Sequence, residues 1–222
     1  MIYYTKSYPP PKCLEIERMK ASGNYSAGDV LERLRNDFKN KCYICGEKSP
    51  VSINVEHFRP HKDNKDLKFD WKNLFWSCQH CNYTKSDKFT NILNCTDIDS
   101  DIEMRIKTKM NPYPKEKVTI EPQDELPETI ETADLLNAVF NGTTVHKKLE
   151  SNNLREKINT ELGQFRDQII IYYNEAYSHE DREKALREIR MHLNSGSSFT
   201  EFKRWIVRDN EVMIKDFGSF FI

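Results

Sequence analysis

Four of the six cysteines fall into two short pairs, Cys42-Tyr-Ile-Cys45 and Cys78-Gln-His-Cys81, with 32 residues between them. Each Cys-x-x-Cys turn presents two sulfurs to one point, and two such turns supply the four thiolates of a closed, tetrahedral zinc site. A redox dithiol needs one pair rather than two, and a disulfide reading belongs to an oxidising compartment. The spacing therefore predicts structural zinc on Cys42, Cys45, Cys78 and Cys81, with Cys13 and Cys95 outside it. Polar groups able to move a proton or hold a cation gather around the same turns. Glu56 and His57 lie between the pairs, Asn73 stands five residues ahead of the second, Asn82 directly follows it, and Lys85 comes three residues later. Taken singly, each has a plain structural reading. A histidine after a strand is commonly just hydrogen-bonded, an asparagine near a turn caps it, and surface cations such as Arg59, Lys85 and Lys88 are usually solvated.

These groups need elements to place them. Leu31, Leu34 and Phe38 recur at helical spacing after the polar entry Ser26-Ala27-Gly28-Asp29, which predicts a helix that delivers the chain to the first cysteine pair. Residues 1–26 read as irregular. Val51-Ser52-Ile53-Asn54-Val55 alternates apolar and polar with β-branched residues and predicts a half-buried strand ending at Glu56-His57. After a charged loop, Trp71 to Ser77 reads as a second strand, and Cys81 to Phe89, free of Gly and Pro, as a short helix. The fold class expected is α+β: a zinc-clasped ββα core with a predominantly α-helical C-terminal region. Residues 1–95 hold the first helix and the core, and 96–129, with Pro112, Pro114, Pro122 and Pro127, read as a linker or partly ordered excursion. Residues 130–222 read as helical, carrying the stripe Leu154, Ile158, Leu162, Phe165, Ile169 and Tyr172, a second helix over Ala185 to Leu193, and a third over Phe202 to Ile214.

Composition sets the outer bounds. In 222 residues, 37% are hydrophobic and 31% charged, which excludes fibrous and wholly disordered classes. No apolar run approaches the roughly 18 to 20 residues of a membrane span. The opening Met-Ile-Tyr-Tyr-Thr-Lys has no secretion pattern, so a cytoplasmic location is the expectation. Net charge is -1, yet residues 1–95 carry 16 Lys+Arg against 11 Asp+Glu, +5, while the remainder carries 18 against 24, -6. The first part can face a polyanion, although an excess of this size is also ordinary scatter.

The ordered set Cys-x-x-Cys, Val55-Glu56-His57-Phe58-x-Pro60, Trp71-x-Asn73-Leu74 and Cys78-x-x-Cys81-Asn82-x-x-Lys85 resembles the HNH endonucleases of the ββα-metal fold. Phosphodiester hydrolysis needs a water deprotonated near neutral pH, and the imidazole of His57 suits that task. The resemblance implies that Glu56 and Asn82 give oxygen ligands to Mg²⁺ or Mn²⁺, and that Asn73 holds the histidine-bearing loop by backbone hydrogen bonds. Neighbouring strand residues point to opposite faces, so the resemblance also implies a bend that lets Glu56 and His57 share one site. Asparagine at position 82, where histidine is common, favours hard cations. Lys85, Arg59 and Lys88 are candidate phosphate contacts, His61 and His80 further candidates, and the expected substrate is nucleic acid, DNA by default. Beyond the core, Lys6-Ser7-x-Pro9 and the helical tail resemble the HNH subunit of the Septu anti-phage systems, which implies an SMC-like or ABC-type ATPase partner; the apolar stripes of residues 130–222 are then a possible docking surface for it, the alternative being an ordinary internal helical core. The competing reading is a zinc-dependent nucleic-acid-binding module without cleavage, in which His57 is structural.

Overall fold

The computed structural model describes residues 1–142 and 144–221. An N-terminal segment leads through α1 (Lys12–Met19) to α2 (Asp29–Asp37) and the first cysteine turn. The strand β1 (Ile53–His57), the one-turn helix α3 (Lys65–Lys68), the strand β2 (Leu74–Cys78) and α4 (Gln79–Lys85) follow, then α5 (Ile102–Arg105) and the hairpin β3 (Ile106–Lys109) and β4 (Thr119–Pro122). Among the described residues, five α-helices and a closing 3₁₀ turn (Gly218–Phe220) follow: α6 (Pro127–Asn141), α7 (Val145–Tyr173), α8 (His179–Leu193), α9 (Thr200–Arg208) and α10 (Glu211–Phe217). Among the described residues no helix is long and apolar enough to cross a membrane.

The ββα unit forms as its residue pattern requires. β1 and β2 pair antiparallel from Ile53 opposite Cys78 to His57 opposite Leu74, and the Cys78 side chain then caps α4 by accepting the Cys81 N–H. The pairing is displaced from the expected strand, covering 53–57 instead of 51–55. β2 ends at Cys78, where the second cysteine turn begins, so Val51 and Ser52 have no strand partner and Val51 is fully exposed. Leu74 and Phe75 instead provide partners for His57 and Glu56.

Other differences have local causes. Residues 1–26 are not wholly irregular: α1 starts directly after Pro11, whose carbonyl accepts the Leu14 N–H at 3.1 Å. Only Leu14 of this helix is buried, with Ile16 and Met19 exposed, so no apolar stripe announces it. The stretch read as a linker or excursion carries α5 and the β3–β4 hairpin, and its last proline, Pro127, opens α6, a position where a missing N–H costs nothing. The final helix divides in two because Asn210 accepts from the Val212 and Met213 N–H groups at 3.0 Å each and starts α10.

One apolar cluster runs from Met1, Ile2 and Tyr4 through Phe38, Tyr43 and Phe75 to Leu135, Val139 and Phe140 of α6, Leu154 and Ile158 of α7, and Phe199 and Phe202. A smaller one gathers Phe165, Ile169, Ile189, Leu193, Val207 and Phe217. The α7 stripe is thus consumed inside the chain. Polar links join the tail to the first cysteine turn: Lys41 Nζ donates to the Ser195 carbonyl at 2.9 Å and to Thr200 Oγ1 at 3.0 Å, and the Phe199 N–H donates to the Gly46 carbonyl at 3.0 Å.

Candidate metal centre and active site

The four thiols meet in one buried cluster. The Sγ atoms of Cys42, Cys45, Cys78 and Cys81 all lie within 4.8 Å of one another, Cys45 and Cys78 at 4.0 Å. A tetrahedron built at the usual zinc–thiolate length has edges of roughly 3.8 Å. Gly46, at φ +73°, closes the first turn by donating its N–H to the Cys42 carbonyl at 2.9 Å. Burial raises all three shifted thiols; at Cys42 alone it is outweighed, by hydrogen bonding from Cys45, Cys78 and Cys81, whereas Cys45 and Cys81 are pushed well up. Four thiolates can share this space only around a cation, so the donor set fits zinc.

Beside the cluster, β1 stays paired through His57, and the Phe58 N–H still reaches the Asn73 carbonyl at 2.9 Å. The implied bend is therefore not what brings Glu56 and His57 to a site. Alternation holds, and the two side chains leave the strand on opposite sides with different neighbours. Glu56 is only 4% exposed. Its Oε1 accepts from the Tyr43 hydroxyl at 3.2 Å and pairs with the Lys85 ammonium at 2.9 Å, while Oε2 is buried with no partner among the described residues. Burial pushes this carboxyl up to about 7, against the opposing pull of Lys85.

His57 is half-buried, with Nε2 3.0 Å from the Lys68 carbonyl oxygen. A carbonyl only accepts, so Nε2 carries the proton and Nδ1 keeps its lone pair. The ring sits edge-on to both Tyr25 and His61, each centroid 4.6 Å away at 68°. Burial depresses the His57 pKa below 6.5; His61, Lys68 and Lys85 add to this, and the Lys68 carbonyl opposes it. The ring is thus held as the neutral base at pH 7.

Asn73 ties this loop together. Its Oδ1 accepts the Arg59 N–H at 2.7 Å, and its Nδ2 donates to the Arg59 carbonyl at 2.9 Å and the Leu67 carbonyl at 3.0 Å. The residue sits in a 3₁₀ turn, Trp71–Asn73, which is itself clamped from the N-terminal segment. Lys6 Nζ donates to the Trp71 carbonyl and, at 2.7 Å, to the Leu74 carbonyl, and Trp71 Nε1 donates to the Ser7 carbonyl at 3.0 Å. Asn82 is half-buried on α4, one turn before Lys85, and its side chain has no hydrogen bond among the described residues.

The three candidate phosphate contacts separate. Lys85 is buried on Glu56, with its Nζ also 3.4 Å from the His57 carbonyl, and so does not present its charge at the surface. Arg59 and Lys88 are exposed, Lys88 lying 5.1 Å above the Phe89 ring. His61 stands against His57, its Nδ1 accepting the Asp63 N–H at 3.2 Å; His80 instead links α4 to α6 and α7 through the Val139 carbonyl and Glu150. Sequence spacing did not point to Tyr25, Tyr43 or Lys6. The nearest signal was the Lys6-Ser7 segment, whose packing on the Trp71 turn gives it a physical function.

The family model described as HNH endonuclease matches residues 42–88, from Cys42, the first cysteine of the cluster, to just beyond α4. The match spans 47 of the 222 residues. No curated protein matches the chain as a relative. The HNH match covers both cysteine turns, β1, β2 and α4, and it supports a nuclease or nucleic-acid-binding role. Tyr25, Lys6 and the tail residues that grip the first turn lie outside the HNH match.

Proposed function

We propose that the HNH domain hydrolyses phosphodiester bonds of nucleic acid, DNA first among the candidates. The observation that carries this reading is the state of His57: Nε2 is committed to the Lys68 carbonyl, Nδ1 is left basic, and burial keeps the ring neutral at pH 7. His57 would take the proton from the attacking water. Asn73 would keep the Lys68 carbonyl, and so the tautomer, in place through the Leu67 and Arg59 backbone. Arg59 and Lys88 would meet backbone phosphates.

The remaining donors suit a hard divalent ion in type. Glu56 Oε2, without a hydrogen-bond partner among the described residues, and the side-chain amide of Asn82 on α4 are oxygen donors of the kind such an ion takes. When bound, Mg²⁺ or Mn²⁺ would supply positive charge to the phosphate and its leaving oxygen. The test is cleavage of supercoiled plasmid by the zinc-loaded protein with Mg²⁺ or Mn²⁺, comparing wild type with His57→Ala at equal zinc content. Loss of cleavage in the variant is expected; equal cleavage rejects the assignment of the base. The buried Glu56–Lys85 pair favours a second reading, a zinc-dependent binding module without cleavage, in which wild type and His57→Ala bind DNA alike and neither cuts it.

We further propose that the chain acts as the effector subunit of an ATPase-coupled, Septu-type (PtuB-like) defence complex with a PtuA-like partner. This rests on the resemblance of the Lys6-Ser7-x-Pro9 segment and the helical tail. The stripe of α7 is spent in the core, so any partner surface uses other residues. Co-expression with a PtuA-like ATPase tests it by co-purification: a stoichiometric complex is expected, and the absence of one from an otherwise folded pair rejects it.

A further inference from the structure

We propose that Lys85 is the resident counter-ion of Glu56 and that a divalent metal loads the site by displacing its ammonium. The inference rests on the metal-dependent reading above and concerns how the chain keeps its carboxylate when no metal is there.

The Lys85 side chain is 1% exposed and the Glu56 side chain 4%, with Nζ and Oε1 2.9 Å apart. A carboxylate removed from water to this degree needs a compensating charge, and the described ion pairs give it none besides Lys85. Tyr43 adds one neutral hydrogen bond, the Ser77 hydroxyl lies near enough to favour the charged carboxylate, and Oε2 has no hydrogen bond of ordinary length among the described residues. The pair is therefore incomplete: one cation satisfies one oxygen, and the second oxygen is buried without a hydrogen-bond partner among the described residues, while Asn82 stands on the same helix as Lys85, one turn earlier. A second cation cannot share the carboxylate with an ammonium 2.9 Å from it without strong like-charge repulsion in a buried setting. Loading and release of Lys85 are thus linked. The lysine has somewhere to go: its Nζ is already 3.4 Å from the His57 carbonyl, and it stands at the last position of α4, on a flexible four-carbon stem. Lys85 ends α4 just before Ser86, which adopts φ +45°.

Two measurements on the zinc-loaded full chain test this. In the wild-type protein, Mg²⁺ titration followed by the NMR resonance of the Lys85 Cε methylene should move that signal and saturate with metal. Mn²⁺ binding, read by loss of the free-ion EPR signal, should be tighter in Lys85→Met than in wild type by about tenfold or more, because an opposite charge at contact distance is worth one to three decades to a competing equilibrium. Lys85→Arg should stay as weak as wild type, and Glu56→Gln should lose the site. A Lys85 signal that does not respond while Mg²⁺ binds, or a Lys85→Met affinity equal to or below that of wild type, overturns the inference and leaves the nuclease reading intact. Failure of wild type and Lys85→Met alike to bind either ion overturns both. Should Lys85→Met not fold, the wild-type NMR titration decides alone.

Discussion

Replacing Asn73 tests whether one buried amide holds the proposed base in position. The side chain is 4% exposed and makes three hydrogen bonds, at 2.7, 2.9 and 3.0 Å, to the backbone of Arg59 and Leu67. At a net value of about 1 kcal/mol each, Asn73→Ala should lose about 2–4 kcal/mol, the spread reflecting how much water reaches the freed groups of the exposed Arg59. Asn73→Asp keeps the acceptor for the Arg59 N–H but turns a second oxygen toward two carbonyls, so it should cost no less. Because Lys68 directly follows Leu67, the damage should reach His57. Urea unfolding gives the stability loss, and ¹⁵N chemical shifts of the imidazole report whether Nε2 remains the protonated nitrogen. In the variant the tautomer preference should weaken. A stability change below about 0.5 kcal/mol with an unaltered His57 spectrum would refute the bracing argument.

Three further outcomes are expected. Stripping zinc with a chelator, or substituting Cys78→Ser, should abolish the cooperative unfolding of the HNH domain, since four crowded thiols lose the cation that lets them ionise together; an unchanged melting curve with zinc absent would contradict this. In the zinc-loaded protein without added Mg²⁺ or Mn²⁺, His57 should titrate below 6.5 by NMR, because burial first and then the nearby His61, Lys68 and Lys85 disfavour its protonated form. The neutral base consequently persists to lower pH than for a free histidine, and a midpoint at or above 6.5 would show that the Lys68 carbonyl dominates instead. Gly46→Ala should destabilise the first cysteine turn by roughly 1–2 kcal/mol from its positive φ alone, and more from a Cβ placed 2.6 Å from the buried Glu201 carboxylate. Zinc retention and thermal unfolding measured together would expose that loss, and wild-type values in both would rule it out.

What the linear chain determined were features that depend on short spacing. Two Cys-x-x-Cys turns carry their own geometry, so the convergence of Cys42, Cys45, Cys78 and Cys81 needed only the hairpin between them, and the apolar periodicity of α7 marked a buried face before any partner was known. The ββα order was legible for the same reason. Tertiary structure decided the rest. Which of Glu56 and His57 is turned toward the Tyr43 and Lys85 side depends on a register that one residue's shift reverses, and that register was set by where β2 stops at Cys78. Lys85 looks like a solvated cation in the sequence because nothing local reveals that α4 packs it onto Glu56. Tyr25 and Lys6 reach the site from a segment without periodicity, and their contacts with His57, Trp71 and Leu74 span 32 to 68 positions, distances over which side-chain pairing is a property of packing and not of spacing.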